Sequence, residues 1–334
     1  MAVNFKGISI KLRTSPRCQW LIALCTIVHI LYFKHCSALT GDLQDLLEKH
    51  NSTGVNPNTR NLTQANVNYK LLTCDDISNM SQGRSLGYGF TKEVFEGTYK
   101  GRKVAIKMVT PKVVDITACF ERKAYRNKSE CYEYANFKVM KEITLSLEIN
   151  SERLLQVLGF CVRGDAITGS VIDHGVIEIV EFGRKLEKSM LINSTWSEKL
   201  QIAKDLADLL VVLEYSPIGS VSIADFKLDQ FMLIDGRLKV GDLDDMSTQE
   251  RPCLSSRDCN IRGQTLGIEC VNSTCSGINP KANLRLATDV ILQTLFKNPP
   301  EHFKQRIGLL LEKLKRYQIN ASELHKFLID ITEE

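Results

Sequence analysis

The sequence lacks internal repeats and low-complexity runs, and it has little histidine. Of its 334 residues, 43% are hydrophobic and 25% are charged. This composition excludes a disordered or collagen-like chain and is sufficient for a sizeable core. The histidines beyond residue 38 adjoin none of the motifs described below; they are His50, His174, His302 and His325. A hydrolase mechanism therefore has little support.

Acidic residues are absent from residues 1–38, which hold five basic ones. The whole chain has 43 basic and 39 acidic residues, a net charge of +4. Without the first 38 residues, 38 basic and 39 acidic residues remain, a net charge of −1. Because such a body has no excess of cations to neutralise phosphates, we expect no nucleic-acid partner.

The acid-free segment carries an apolar run. Residues 18–33 are uncharged and follow a basic stretch, a pattern typical of targeting to the secretory pathway. The run is shorter than the roughly 20 apolar residues of a full membrane span. Small residues at 36–38 offer a cleavage site, so residues 1–38 are either a signal peptide or a short signal anchor. Either way the positive flank places the rest in the lumen, and only an uncleaved segment would hold the chain on a membrane.

Glycosylation sequences and cysteines agree with a luminal location in the ER or Golgi, or with secretion. Sequences of the type Asn-x-Ser/Thr begin at Asn51, Asn61, Asn79, Asn127, Asn193, Asn272 and Asn320, which predicts a glycoprotein. Eight cysteines follow the leader, and their even number predicts disulfides: Cys74, Cys119, Cys131, Cys161, Cys253, Cys259, Cys270 and Cys275. A zinc site is the alternative for the dense group at 253–275, although no Cys-x2-Cys pair and no nearby histidine supports it. The spacing leaves the pairing open.

The pattern along the chain predicts a glycosylated polar stalk at 39–70 and one two-lobed α+β domain at 71–334. The first lobe, about 71–183, is rich in strands and contains one helix, whereas the second, about 184–334, is mainly helical. A charged insertion occupies 111–134, and a Cys-rich loop occupies 246–282. The predicted strands are Ser85–Glu96, Gly101–Val109, Leu154–Cys161 and Val176–Phe182; the predicted helices are Phe137–Asn150, Trp196–Leu213, Ala282–Leu295, His302–Tyr317 and Ala321–Ile331.

Two motifs in the first lobe suit a phosphorylated ligand. Gly87 and Gly89 lie in a predicted hairpin, and glycine lets the backbone approach a phosphate closely. Lys92 stands where a third glycine is expected. Lys107 ends an apolar run thirteen residues after Val94, so its ammonium can enter a cleft and pair with phosphate oxygens.

Three further positions follow in the order found in protein kinases. Glu142 on the predicted helix is the expected partner of Lys107, with Glu148 as the alternative. Asp225, in the sequence Ile-Ala-Asp-Phe-Lys-Leu-Asp-Gln, occupies the position of the residue that orients or deprotonates an acceptor hydroxyl. Asp242 follows seventeen residues later, where kinases place a magnesium-binding aspartate.

The chain resembles the secreted vertebrate lonesome kinase family over roughly 80–330. The resemblance rests on Leu86–Val94, on Lys239–Asp245, on the Cys-rich segment and on Gly277–Leu284. It implies a kinase fold that transfers the γ-phosphate of ATP to hydroxyls of luminal or extracellular proteins, with tyrosine as the acceptor and Mg²⁺ or Mn²⁺ as the cation. The implied nucleotide-binding residues are Gly87, Gly89, Val94, Ala105, Lys107, Glu142, Glu181 and Gly183; the implied catalytic residues are Asp225 and Lys227, and the metal ligands are Gln230 and Asp242.

Several positions depart from the usual kinase pattern. Lys107 and Glu142 lie thirty-five residues apart, about twice the usual spacing, because of the insertion, which a Cys119–Cys131 disulfide is one way to tie down. Ala224 replaces the catalytic-loop arginine, and Asp244 replaces the glycine of Asp-Phe-Gly. Two alternatives therefore stay open, a kinase-fold binding protein without turnover and a kinase acting on glycan hydroxyls.

Overall fold

The computed structural model describes residues 71–122, 128–163, 175–261, 263–265 and 267–332. The description below concerns the unit Leu62–Glu334. The predicted leader and the predicted stalk lie outside the described residues. Within the described ranges, no helix combines the length and the hydrophobicity needed to cross a membrane.

A five-stranded antiparallel sheet forms the first lobe, in the order β1-β2-β3-β5-β4. Residues 104–108 of the middle strand are buried, because both faces of the sheet are covered there. The hairpin between the second and third strands turns at Lys100 and Gly101, whose φ angles are 47° and 79°. The strands are β1 Ser81–Tyr88, β2 Glu93–Tyr99, β3 Arg102–Met108, β4 Val157–Arg163 and β5 Gly175–Glu181.

The prediction of one strand over Ser85–Glu96 was wrong. The structure has two strands there, β1 and β2, separated by a tight turn. The amide of Gly89 donates to the carbonyl of Lys92 at 2.8 Å, which reverses the chain. Aromatic and β-branched residues continue through this turn, so the residue pattern does not mark the break.

Three helices accompany the sheet: α1 Cys74–Ser78, α2 Val114–Arg122 and α3 Lys128–Ile149. Helix α3 begins nine residues before the predicted start at Phe137. Its first turns bury Cys131 and Ala135 against Ile116 and Cys119 of α2. Much of the described part of the insertion is therefore helical, where the sequence predicted only a charged segment.

The second lobe is mainly helical. Its long helix α5 begins after Thr195, whose side chain and that of Glu198 form a capping box. The helix packs on the C-terminal helix and on a large apolar core. The α+β arrangement of two lobes predicted from the sequence is confirmed. The helices are α4 Lys188–Asn193, α5 Trp196–Glu214, α6 Ile278–Ala287, α7 Gln293–Leu295, α8 Lys304–Lys315 and α9 Ala321–Thr332.

Short strands carry the loops that hold the candidate site residues. A three-stranded sheet consists of β6, β8 and β9, and β7 pairs with β10. The pairing of Ile223 with Met246 joins the segment before Asp225 to the segment after Asp242. These strands are β6 Arg184–Lys185, β7 Ser222–Ile223, β8 Phe231–Ile234, β9 Arg237–Val240 and β10 Met246–Ser247.

All eight predicted cysteines form disulfides, which confirms the disulfide prediction. In the Cys-rich segment the sulfurs are used in pairs, so the zinc alternative is not supported there. The segment forms two hairpins, β11 Asn260–Ile261 with β12 Gln264–Thr265 and β13 Cys270–Val271 with β14 Thr274–Cys275. Its small core contains Ile261, Ile268 and Ile278. The pairs are Cys74–Cys161, Cys119–Cys131, Cys253–Cys270 and Cys259–Cys275.

A buried ion cluster ties α5 to β9 and to the loop before β4. Asp205 of α5 accepts hydrogen bonds from Arg237 and from the amide of Leu238, and it lies 2.8 Å from the guanidinium of Arg153. Arg153 and Asp205 are both buried. Buried charges are costly unless they are paired, so each depends on the other.

We expect Asp205→Ala to lower the free energy of unfolding by about 3–5 kcal/mol, because it leaves the guanidinium of Arg153 buried without its main partner. Asp208→Ala is the matched control, since Asp208 also contacts Arg153, at 3.2 Å, but is partly exposed. Its cost should stay below about 1 kcal/mol. Urea unfolding followed by circular dichroism measures both, and equal losses would contradict the assignment.

We also expect loss of the Cys253–Cys270 disulfide to destabilise the Cys-rich segment. The double variant Cys253→Ser/Cys270→Ser frees a loop with a sequence separation of 17 residues, worth about 3 kcal/mol of chain entropy. Leu254→Ser, at a side chain that is 98% exposed in the same loop, is the control and should change stability by less than about 0.5 kcal/mol. Limited proteolysis of folded protein should cut the double variant first between residues 251 and 276.

Candidate active site

The central contact of the site joins the strand lysine to the helix glutamate. Lys107 of β3 and Glu142 of α3 form an ion pair, and both are buried. The ammonium of Lys107 also donates to the carbonyl of Gly241 at 2.8 Å and lies 3.5 Å from the carboxylate of Glu178. Glu142, rather than the alternative Glu148, is therefore the residue that faces Lys107.

A second lysine contacts the same glutamate. Lys92, at the end of the turn between β1 and β2, pairs with Glu142 and lies 2.7 Å from Asp242 and 3.3 Å from Asp244. Only 7% of Lys92 is exposed. Lys92 and Asp244 both stand where kinases usually have glycine, and the sequence predicts no role for either side chain.

Three carboxylates converge around this second lysine, and we call Glu142, Asp242 and Asp244 the acidic cluster. One oxygen from each lies within 4.8 Å of the others. The segment 242–244 is held by α3, because Lys141 donates to the carbonyl of Asp244 at 2.8 Å. Hard carboxylate oxygens at this spacing fit Mg²⁺ or Mn²⁺.

The pKa values in the acidic cluster follow the balance between burial and charge. Burial lowers the pKa of Lys92, but the surrounding carboxylates raise it well above its ordinary value. Burial and the charge of Glu178 raise the pKa of Glu142 to about 6, and burial raises the pKa of Asp244 to about 6. Burial would also raise the pKa of Asp242, yet the ammonium of Lys92 holds it well below its usual range. Asp242 is thus the carboxylate of the cluster that stays ionised most strongly.

The loop after β7 carries Asp225 and Lys227. The ammonium of Lys227 lies 2.5 Å from the carboxylate of Asp225, and both side chains are exposed to solvent by nearly half. Gln230 is buried in the 3₁₀ turn that follows, and its Nε2 donates to Asp225 at 3.2 Å. The hydrogen bond to Asp225 raises the pKa of Lys227, and the charges of Asp229 and Asp242 add to this shift. Asp225 therefore carries two donors and remains open to an incoming hydroxyl.

An apolar cluster joins the sheet to β8. Val94 of β2 and Ala105 of β3 pack in it with Val180 of β5 and Met232 of β8. Phe182 packs against the same cluster, and its neighbour Glu181 is fixed by Lys239 at 2.5 Å. A side chain at Gly183 would collide with Ile234, since an added Cβ would lie 2.7 Å from its Cγ1. The predicted residues Val94 and Ala105 thus share one apolar environment next to the segment 181–183.

The turn that carries the two glycines is fixed by the insertion. Gly87 has a φ angle of 152°, which favours glycine, and Gly89 closes the turn onto Lys92. Asp115 of α2 accepts from the hydroxyl of Thr91 at 2.8 Å, and its amide donates to the carbonyl of Phe90 at 2.8 Å. Lys138 of α3 pairs with the same carboxylate at 2.9 Å. The insertion therefore connects the turn with the helix that carries Glu142.

Among the predicted site residues, the structure brings Lys107, Glu142 and Asp242 together around Lys92, and it brings Asp225, Lys227 and Gln230 together in the loop after β7. It also adds groups that the sequence did not predict. The missed groups are Lys92, Asp115, Glu178 and Asp244. The sequence does mark Lys92 and Asp244 as unusual, because each stands at a position where glycine is expected. No signal marks Asp115 or Glu178, since an acidic residue in an insertion or a strand is usually exposed.

Comparisons with known proteins place the chain among kinases. Residues 135–316 match the family described as the protein-kinase domain of FAM69. The human extracellular tyrosine-protein kinase PKDCC is 33% identical over 217 residues, which cover 64% of this chain and 43% of that protein. A leucine-rich repeat receptor-like serine/threonine-protein kinase sequence of Arabidopsis thaliana is 29% identical over 147 residues, covering 43% of this chain and 14% of that sequence. The aligned regions span less than half the length of either relative.

We expect Asp115→Ala to loosen the turn, because it removes the acceptor of Thr91 and the partner of Lys138. Hydrogen–deuterium exchange of a peptide covering residues 85–95 should become several-fold faster. Glu121→Ala changes an exposed acidic residue of the same helix and should leave this exchange unaltered. Unchanged exchange in Asp115→Ala would show that the insertion does not hold the turn.

Proposed function

The chain belongs to the family of FAM69 protein-kinase domains, and we propose that it is an ATP-dependent protein kinase of the secretory pathway. Its expected substrates are luminal or extracellular proteins, and tyrosine is the expected acceptor. The observation that carries the proposal is the buried Lys107–Glu142 pair, which Lys92 links to Asp242. The four disulfides and the name of the human relative support a luminal or extracellular place of action.

The apolar cluster and the lysines would bind different parts of ATP. Val94, Ala105 and Met232 offer the apolar faces for adenine, and the backbone at 181–183 offers polar groups to its edge. Gly87 and Gly89 leave room for the phosphates, and Lys107 supplies a cation that Glu142 holds in place. Phosphoryl transfer depends mainly on such positioning and on neutralisation of charge.

Asp225 and Lys227 would carry the transfer itself. Asp225 accepts the proton of the acceptor hydroxyl as the hydroxyl oxygen forms a bond to the γ-phosphorus. The bond from that phosphorus to the β–γ bridging oxygen breaks, and ADP leaves with the bond's electron pair. Lys227 balances negative charge on the moving phosphoryl group. A divalent cation, held by Asp242 and by the carbonyl oxygen of Gln230, would neutralise phosphate charge.

One observation favours a second function, nucleotide binding without transfer. Gln230 stands where kinases use asparagine, and its Nε2 donates to Oδ2 of Asp225, so the longer amide binds one oxygen of the carboxylate that should accept a proton. A protein of this kind would bind ATP with the same residues and release it unchanged.

Transfer assays distinguish these functions. Full-length protein purified from the medium or lysate of secretory cells is incubated with γ-labelled ATP, Mg²⁺ or Mn²⁺, and separate tyrosine, serine and sugar acceptors. We expect labelled phosphotyrosine, located by mass spectrometry. ATP binding without transfer to any acceptor would instead support the binding function, and label on sugars would support a glycan kinase.

Asp225→Asn tests the proposed base. It should lower the transfer rate by about 10²–10⁴-fold, because the amide cannot take the proton, while ATP affinity changes little. Lys107→Met should instead weaken ATP binding. Asp229→Asn, at a neighbouring exposed carboxylate that lies 4.0 Å from Lys227 and 3.8 Å from Lys185, is the control and should stay within about twofold of the wild-type rate. A full rate in Asp225→Asn would remove Asp225 from the mechanism.

A further inference from the structure

Two departures from the usual kinase pattern meet in space. Lys92 replaces a glycine in the turn between β1 and β2, and Asp244 replaces the glycine two residues after Asp242. These positions are 152 residues apart in the chain, yet the ammonium and the carboxylate lie 3.3 Å from each other. The added positive and negative charges therefore face each other inside the cleft.

The environment of Lys92 is unusual for a lysine of a turn. Its ammonium is surrounded by the acidic cluster, with Asp242 at 2.7 Å, and its side chain is 7% exposed. Two lysines and four carboxylates share this buried region: Lys92, Lys107, Glu142, Glu178, Asp242 and Asp244. The formal charge of these six groups is −2. The carboxylates therefore hold both ammonium groups strongly and can still attract a further cation.

The backbone that carries Lys92 is fixed on both sides. Thr91 donates to Asp115, and Glu93 accepts from Ser85 at 2.8 Å and from Thr110 at 2.8 Å. The four-carbon stem of the lysine can still rotate about this fixed point. A tethered ammonium at the end of a phosphate-binding turn can thus exchange carboxylate oxygens for phosphate oxygens without moving the turn.

We propose that Lys92 is a second phosphate-binding lysine of this site. Without nucleotide its ammonium occupies the acidic cluster. With nucleotide bound it contacts phosphate oxygens and leaves Asp242 and Asp244 free for the divalent cation. The inference rests on the proposed nucleotide-binding function. It implies that nucleotide and divalent cation bind cooperatively, because each favours the same position of Lys92.

The competing explanation is that Lys92 and Asp244 form a compensating pair with a structural role only. The two explanations differ in the double variant Lys92→Met/Asp244→Asn. A compensating pair predicts that the double variant binds ATP as the wild type does, because the charges are removed together. A phosphate-binding lysine predicts that it binds ATP as weakly as Lys92→Met alone. The double variant also keeps the charge balance, so it tests the proposal if the single variant does not fold.

The binding experiment uses full-length protein and isothermal titration with ATP and with adenosine, each in EDTA and in Mg²⁺. For Lys92→Met we expect ATP affinity to fall about tenfold or more, the usual effect of losing a hydrogen bond to a charged group, with adenosine affinity within about twofold. Lys304→Met, which removes an exposed lysine of α8, should change neither. An equal loss for ATP and adenosine, or full ATP affinity in the double variant, would overturn the proposal.

A second readout needs no nucleotide. Mn²⁺ titration followed by electron paramagnetic resonance should show weak binding to the wild type and at least several-fold tighter binding to Lys92→Met, because the formal charge falls to −3. Equal Mn²⁺ affinity in both proteins would overturn the claim that Lys92 occupies the cluster. ATP binding by the wild type without transfer would refute the kinase activity alone, whereas no ATP binding at all would overturn both proposals.

Discussion

The carboxylate of Glu142 is the group on which the rest of the site depends. Its two oxygens are shared between Lys107 of the central strand and Lys92 of the turn. A single buried side chain thus fixes a strand, a turn and a helix relative to one another. Lys107 continues the connection to the carbonyl of Gly241, and Lys92 continues it to Asp242. Two ammonium groups, both paired with Glu142, therefore connect the first lobe to the second.

The insertion explains how Glu142 can occupy this place although it lies far from Lys107 in the sequence. Helix α2 and the early turns of α3 bury a common apolar face, and the Cys119–Cys131 disulfide joins them. Asp115 then connects α2 both to the turn and to α3. The extra residues lengthen the helix at its N-terminal end and provide the turn with a support. Despite the long spacing, Glu142 of α3 still pairs with Lys107 of β3.

The sequence predicts well the features that depend on a single residue type, such as cysteine, or on a regular spacing of apolar residues. The fold class, the helix from Trp196 and the presence of disulfides are confirmed, and the resemblance to the lonesome kinase family is confirmed by the match to FAM69 and by the human relative. The order of the motifs also predicts the pairing of Lys107 with Glu142.

Features that depend on tertiary contacts were missed or left open. The break between β1 and β2 depends on one backbone hydrogen bond, and the start of α3 depends on burial against α2. The role of Lys92 depends on carboxylates 50 and 150 residues away.

In the second lobe, fixed contacts stand where many kinases use a phosphorylation switch. Ala224 cannot bind the phosphate of an activation segment, because its side chain carries no positive charge. The loop that carries Asp225 is held instead by Asn283 of α6, which is buried and which accepts from the amide of Ile223 at 2.9 Å and donates to the carbonyl of Val221 at 2.7 Å. The Cys-rich segment that follows is closed by two disulfides and packs on Ile278 at the start of the same helix. Helix α6 thus supports both the loop and the segment. Under the proposed kinase function, neither would require a phosphate to become ordered, because packing and disulfides already fix both.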